Sequence, residues 1–272
     1  MNYRHGFHAG NFADCMKHAL LVWLLRALQR KPGGIAVLDT HAGRGDYALS
    51  SPEAERTGEW RRGIARLADP PPALAEYVAL ATGQPGRYPG SPALVRAMLR
   101  PQDRLIACEL HLEEHAALRR HFARDPQVAV HRRDAWEALG ALLPPAERRG
   151  LILVDPPYEA PDDRARLVAG LRTGHARFAT GVFAAWYPVK DRAALRALHA
   201  DLAASGLRDV VAAELLLRAP VDAARLNGCG LVVVNPPFGF ETAAEAILAA
   251  LLAALSDGED GAAWQVARLV DE

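Results

Sequence analysis

Seven short runs rich in Val, Ile, Leu and Ala punctuate this chain: Ile35 to Thr40, Arg104 to Leu110, Gln127 to Arg132, Leu151 to Asp155, Val182 to Tyr187, Val210 to Leu217 and Leu231 to Asn235. Runs this short and continuously apolar suit strands buried on both faces, because a strand with one wet face alternates polar and apolar residues. Longer stretches with helical spacing lie between them, such as Leu112 to Phe122, Arg164 to Leu171, Ala193 to Ala204 and Ala243 to Leu255. Strands alternating with helices predict an α/β fold built on a doubly wound, Rossmann-like, seven-stranded and mostly parallel sheet.

An apolar helix from Asp14 to Arg30, stopped by Pro32-Gly33-Gly34, leads into the first run. The stretch from Leu49 to Pro92 breaks the rhythm. It is dense in Pro and Gly, holds amphipathic helical fragments and contains no convincing strand. It reads as a small helical insertion, dividing the chain into a Rossmann-like domain of residues 1–48 and 93–272 and an insertion subdomain of 49–92. A chain of 272 residues has room for one such domain with a sizeable core. The last helix and Trp264 are expected to close the fold.

Lys+Arg and Asp+Glu both number 32, so no global field advertises a polyanionic partner and any nucleic-acid surface must be local. Arg56, Arg61 and Arg62, in the insertion, are the suspected patch. Cys15, Cys108 and Cys229 lack C-x-x-C spacing, which argues against a disulfide framework or structural zinc and fits a reducing cytosol. The first residues lack a signal-peptide layout, and the apolar stretch Ala19 to Leu25 is closed by Arg26. A soluble, cytoplasmic protein without a membrane partner is expected.

The sharpest chemical signal is Leu151-Ile-Leu-Val-Asp155-Pro156-Pro157-Tyr158, a buried strand ending in an acid, two prolines and an aromatic. In an open parallel sheet, functional groups gather at the carboxyl ends of strands, and the prolines stiffen the turn and remove competing N–H donors. An exocyclic amine offers two N–H donors in one plane. The Asp155 carboxylate and the Pro156 carbonyl can accept both, turning the nitrogen lone pair toward an electrophile while Tyr158 stacks on the base. Once alkylated, the nitrogen is acidic, so Asp155 need only accept its proton afterwards. A second copy, Val234-Asn235-Pro236-Pro237-Phe238, ends the seventh run; chain order places it in the far edge half of the sheet, and a structural role is expected for Asn235.

The first run continues through Asp39-Thr40-His41-Ala42-Gly43-Arg44-Gly45, a glycine-containing turn that lets backbone approach a ligand, although His41 stands where a dinucleotide fingerprint has its first glycine. Glu109 ends the second run, placed to accept from ribose hydroxyls, and Asp134 follows the third, placed to accept from an adenine amine. Asp39, Glu109, Asp134 and Asp155 thus end four successive strands, which points to a cationic, adenosine-bearing ligand. Tyr3-Arg4-His5-Gly6-Phe7-His8, with Asp14, Lys17 and His18 behind it, is too polar for a routine helix leader. Lys17 and His18 can face the cofactor pocket, and Tyr3 and His5 can reach the target base or its phosphates. A metal site from His5, His8 and His18 matches no standard zinc spacing, so no metal is expected.

The motifs Tyr3-Arg-His-Gly-Phe-His-Ala-Gly-Asn11, Leu38-Asp-Thr-His-Ala-Gly43, Tyr88-Pro-Gly-Ser-Pro92, Arg149-Gly-Leu-Ile-Leu-Val-Asp-Pro-Pro-Tyr158 and Phe178-Ala-Thr-Gly181 together resemble the 23S ribosomal RNA adenine-N6 methyltransferase J family, nearly end to end and in order. The resemblance implies a class I methyltransferase fold using S-adenosyl-L-methionine, with S-adenosyl-L-homocysteine as product. It implies cofactor contacts at His18, His41, Ser91, Glu109, Asp134 with Ala135, and Asp155, the last also the catalytic acceptor. It places Tyr3, His5 and Lys17 near the substrate, a 23S rRNA adenine of the position-2030 type. It further implies a monomer acting on naked or partly assembled rRNA, with the adenine unstacked. Ala135 departs from the family's glycine, which a backbone contact tolerates at negative φ. Rival readings are a DNA adenine-N6 methyltransferase, for which the insertion leaves little room to house a sequence reader, a protein-glutamine methyltransferase, which favours Asn over Asp155, and a non-catalytic RNA-binding scaffold.

Overall fold

The computed structural model describes residues 4–272, so the expected substrate contact at Tyr3 lies outside the described residues. All seven apolar runs are strands: β1 (Ala36–Asp39), β4 (Arg104–Cys108), β5 (Val128–His131), β6 (Gly150–Val154), β7 (Val182–Val189), β8 (Val210–Leu216) and β9 (Gly228–Val234). They join an eight-stranded sheet in the order β5-β4-β1-β6-β7-β9-β8-β10, one strand more than expected. Strands β5, β4, β1, β6 and β7 run parallel, β9 is antiparallel to both of its neighbours, and β10 (Ala263–Val270) pairs antiparallel with β8. A strand, not a helix, therefore ends the chain. Half-exposed along its length, β10 lacks the continuous apolar run that marks the inner strands.

Side-chain alternation splits the core in two. Leu151 and Leu153 of β6 face one layer, where α1 (Phe12–Gln29), α4 (Ser91–Met98), α5 (Leu112–His121) and α9 (Phe240–Leu255) pack. Ile152 and Val154 face the other, under α6 (Ala135–Ala141), α7 (Asp163–Arg177) and α8 (Arg192–Ala203). This is an α/β/α sandwich. Between β1 and α4 the chain forms α2 (Pro52–Thr57), two short 3-10 turns and α3 (Pro72–Ala81), framed by an antiparallel ribbon of β2 (Asp46–Ala48) and β3 (Arg87–Pro89). β3 corrects the strandless reading of residues 49–92; three paired residues are too few to leave a periodic pattern. Helix α3 covers α1 on the side away from the sheet, which is why α1 buries residues around most of its circumference. No helix among the described residues is long and apolar enough to cross a membrane.

Asn235 is structural, for a reason other than chain order. β9 sits beside β7 in the body of the sheet, and its reversed direction sends Asn235 to the pole where the parallel strands begin. There its side-chain amide donates to the carbonyls of Ala179 and Gly181, both at 2.8 Å, and Phe238 is 96% exposed.

Candidate active site

The carboxyl ends of β5, β4, β1, β6 and β7 open onto one cavity of about 660 Å³, within the range of small-molecule sites. Except for Asp39, every expected site residue among the described ones lines it: His5, Lys17, His18, His41, Gly43, Ser91, Glu109, Asp134, Ala135, Asp155, Pro156 and Tyr158.

Helix α1 carries the charged floor. Asn11 caps it by accepting the Asp14 N–H at 2.9 Å. The Asp14 carboxylate is fully engaged, by the Gly10 N–H (2.9 Å), His5 Nε2 (2.8 Å) and Lys17 Nζ (3.0 Å). Lys17 Nζ also reaches Asp155 Oδ2 at 2.5 Å. A chain of contacts thus runs His5–Asp14–Lys17–Asp155 with Lys17 only 5% exposed. Burial pushes the Asp14 carboxyl up, but His5 and the Lys17 ammonium outweigh it and hold it well below the usual carboxylate range. Burial alone would lower the Lys17 ammonium, yet the Asp14 and Asp155 carboxylates raise it. Next to it, His18 is pushed down to about 3 by burial and is therefore neutral. Its Nδ1 lies 2.7 Å from the Tyr88 hydroxyl, and its Nε2 is buried without a hydrogen-bond partner.

The strand-end acids divide the remaining work. Glu109 accepts the Gly43 N–H (2.9 Å) on one oxygen and the His111 N–H (2.7 Å) on the other, which leaves lone pairs for two adjacent hydroxyls. Gly43 has φ +60°, and a Cβ there would meet the Tyr47 hydroxyl at 2.3 Å, so only glycine delivers that N–H. Asp134 caps α6 through Oδ1, accepting from Trp136 N (2.9 Å) and Glu137 N (3.2 Å). Ala135 is the first residue of α6, so its φ is helical and its N–H has no partner within the helix.

Asp39 is different: fully buried, it does not line the cavity, and its oxygens accept from the Ser91 hydroxyl (2.6 Å) and the His41 N–H (3.3 Å). It holds Ser91 and the β1 turn from beneath, and unlike the other expected cofactor contacts it does not line the cavity. Burial raises its carboxyl to about 6. Relative to the unfolded chain, this group favours folding below about pH 4 and loses that contribution as pH rises through 6. Asp39→Asn removes the dependence. In denaturant titrations it should gain about 2 kcal/mol on the wild type between pH 4 and pH 7; a constant difference across that range would contradict the burial.

The Asp155 loop is pinned at its far end. Tyr158, at φ +52°, donates its hydroxyl to the Trp186 carbonyl (2.9 Å) and meets the Trp186 ring edge to face at 5.8 Å. Trp136, on the opposite wall, packs edge-on to His41 at 5.8 Å beneath the Arg166 guanidinium. Its space is made by Gly170 of α7, where a Cβ would fall 2.6 Å from the ring. Gly170→Ala should therefore destabilise the protein by about 1–3 kcal/mol through overpacking, against the gain of up to about 1 kcal/mol that Ala ordinarily brings to a helix. A denaturant midpoint at or above wild type would refute the contact. The weighed metal grouping is not assembled: His5 meets Asp14, His8 meets Glu59 and His18 meets Tyr88. Sequence reasoning did not reach Asp14 as the hub, Trp136 or Trp186. The signal for Asp14 was there, a carboxylate three residues before Lys17 on one helix.

The family described as Ribosomal RNA large subunit methyltransferase D, RlmJ, matches this chain over residues 32–268. The chain belongs to this methyltransferase family. Two relatives named Ribosomal RNA large subunit methyltransferase J agree with it: that of Haemophilus influenzae is 41% identical over the full length of both chains. That of Escherichia coli K12 is 42% identical over 249 residues, 89% of each. A crystal structure of a Legionella pneumophila protein superposes with a TM-score of 0.87 at 32% identity, covering 96% of this chain and 98% of that one. This chain thus shares its fold with the Legionella protein over nearly its whole length.

Proposed function

We propose that this family member methylates the exocyclic N6 of an adenine in 23S rRNA, the position-2030 type of target, using S-adenosyl-L-methionine. The observation that carries the reading is Asp155: one carboxylate oxygen is held by Lys17, the other accepts no hydrogen bond from the described residues, and Asp155 and the adjacent Pro156 both line the cavity. The relatives' names supply the rRNA. The residues present fit the cofactor: Glu109 can accept two ribose hydroxyls, Asp134 Oδ2 and the Ala135 N–H suit the donor and acceptor of an adenine edge, and His18 Nε2 is a buried polar atom without a partner at the same cavity.

S-Adenosyl-L-methionine supplies an electrophilic methyl group. Asp155 Oδ1 and the Pro156 carbonyl accept the two N–H groups of the target amine and turn its lone pair out of the ring, which fixes the line of attack. The new N–C bond makes the nitrogen cationic and acidic, and Asp155 Oδ1 takes its proton. Lys17, paired with Oδ2, holds the carboxylate in place. Residues 49–92 serve this site as a supporting subdomain through Tyr88, whose hydroxyl meets His18. The suspected RNA patch is engaged on the protein itself: Arg56 lies over the Phe7 ring at 4.2 Å, and Arg61 pairs with Glu55. Arg133 and Lys190, on the cavity lining, better suit phosphates flanking the target. Mass mapping of 23S rRNA from a strain lacking the gene tests the proposal. One N6-methyladenine should be lost and restored by the wild type alone; an unchanged methylation map would refute it.

A further inference from the structure

The imidazole of His41 joins two loops that leave the sheet side by side. β1 and β6 are parallel neighbours with Asp39 opposite Leu153, and the ladder runs on to the Thr40 N–H, which donates to the Leu153 carbonyl at 3.0 Å. Two residues on, just past the end of β6, comes the amide of Asp155, the residue that opens the catalytic loop. Its N–H donates to His41 Nδ1 at 3.2 Å, so a side-chain nitrogen ends the ladder. Pro156 and Pro157 have no N–H, which makes the Asp155 amide the only backbone donor between Val154 and Tyr158.

This bond dictates the state of the ring. An Nδ1 that accepts from an amide carries no proton, so the neutral ring is protonated on Nε2. The Thr40 hydroxyl, 2.8 Å from the same Nδ1, can donate to it or to the Leu153 carbonyl, and either choice is consistent with that tautomer. Burial agrees, lowering the imidazole to about 4. The Nε2–H edge is left for the cavity, with Trp136 packed against the ring to hold its plane.

We propose that His41 is a positioning residue for Asp155: Nδ1 sets where the catalytic loop begins, while Nε2–H on the opposite edge is a donor to the bound cofactor. One ring then ties cofactor placement to carboxylate placement. The inference rests on the methyltransferase reading above and adds to it a division of labour between two atoms of one side chain.

The two edges can be separated. Asn places an oxygen near the position of Nδ1 and keeps the acceptor, whereas Gln places its amide nitrogen near Nε2 and keeps the donor. Three measurements on each purified variant are compared with wild type: the affinity for S-adenosylhomocysteine by calorimetry, kcat on a 23S rRNA transcript, and hydrogen exchange of a peptide spanning residues 151–158. His41→Asn should weaken cofactor affinity the more and keep the Asp155 amide protected. His41→Gln should bind cofactor the better of the two, exchange one additional amide, and have kcat about tenfold or more below the Asn variant, because a 1 Å misplacement of a catalytic group costs on the order of 10²-fold. Equal kcat losses in the two variants, or no change in exchange in His41→Gln, would overturn the positioning role. Wild-type protein that fails to bind S-adenosylhomocysteine would instead overturn the cofactor reading on which it rests.

Discussion

Asp155→Ala lowers kcat for adenine methylation by about 10²–10⁴-fold, the span typical of a lost proton-transfer group, while S-adenosylhomocysteine still binds. The asymmetry follows from where the carboxylate sits. In the proposed arrangement Glu109, Asp134 and His18 are separate contacts for the cofactor, so losing one of several leaves most of its affinity, whereas the proton acceptor proposed for the target amine is Asp155 alone. Asp155→Asn probes the same point at constant volume. The amide cannot take the proton and sets its NH₂ or its weaker oxygen against Lys17, so its activity should fall nearly as far. A rate within about threefold of wild type in either variant would remove Asp155 from the chemistry, since general acid–base groups contribute at least about 10².

Lys17→Met carries the largest expected cost in stability. The substitution keeps the chain length but leaves Asp14 and Asp155 facing each other without the cation between them, and Asp14 is only 1% exposed. Removing one member of a buried charged cluster costs about 3–5 kcal/mol, which for a chain of this size lowers Tm by on the order of 10 °C. The pH dependence gives the sign. A lowered Asp14 contributes stability above its unfolded value of about 4 and loses it as pH falls through the folded value; a raised Lys17 contributes below about 10. The deficit of Lys17→Met should therefore be full near neutrality and shrink as pH falls through about 4 toward the low folded value of wild-type Asp14. Calorimetric melts at pH 3.5 and pH 7 decide it. A deficit that grows in acid, or is absent at pH 7, would mean that the buried charge chain is not formed.

What the sequence made legible follows from how local each signal is. The six inner strands could be read because burial on both faces demands unbroken apolar runs, the half-exposed edge strand β5 because its short Val-containing run falls between two helices, and the acids at strand ends because a charge rarely follows such a run without a task. β10 was not readable, since an edge strand half open to solvent has no such demand on it. Asp39 shows the limit most clearly. Nothing in Leu38-Asp39-Thr40 distinguishes an acid facing a ligand from one folded beneath its own loop; the difference lies in Ser91, 52 positions away. Lys17 and Asp155 are 138 positions apart and His18 and Tyr88 are 70 apart, and such pairings exist only after the sheet and insertion have docked. Chain order did place Asn235 in the far half of the sheet, but the reversed direction of its strand could not be read from it.

That second diproline loop has a wider consequence. Asp155-Pro-Pro-Tyr and Asn235-Pro-Pro-Phe are nearly the same string, yet they sit at opposite poles of one sheet because β9 was threaded in backwards. A string of letters is a scalar, whereas a strand is a vector, and chemistry at a sheet's edge depends on the vector. Changing Asn235 to Asp would complete the string and create no second site, for the cavity and the acids that line it lie at the opposite pole of the sheet. Counting such loops along a chain therefore counts turns, and only the arrow of the strand beneath each turn tells which one meets a substrate.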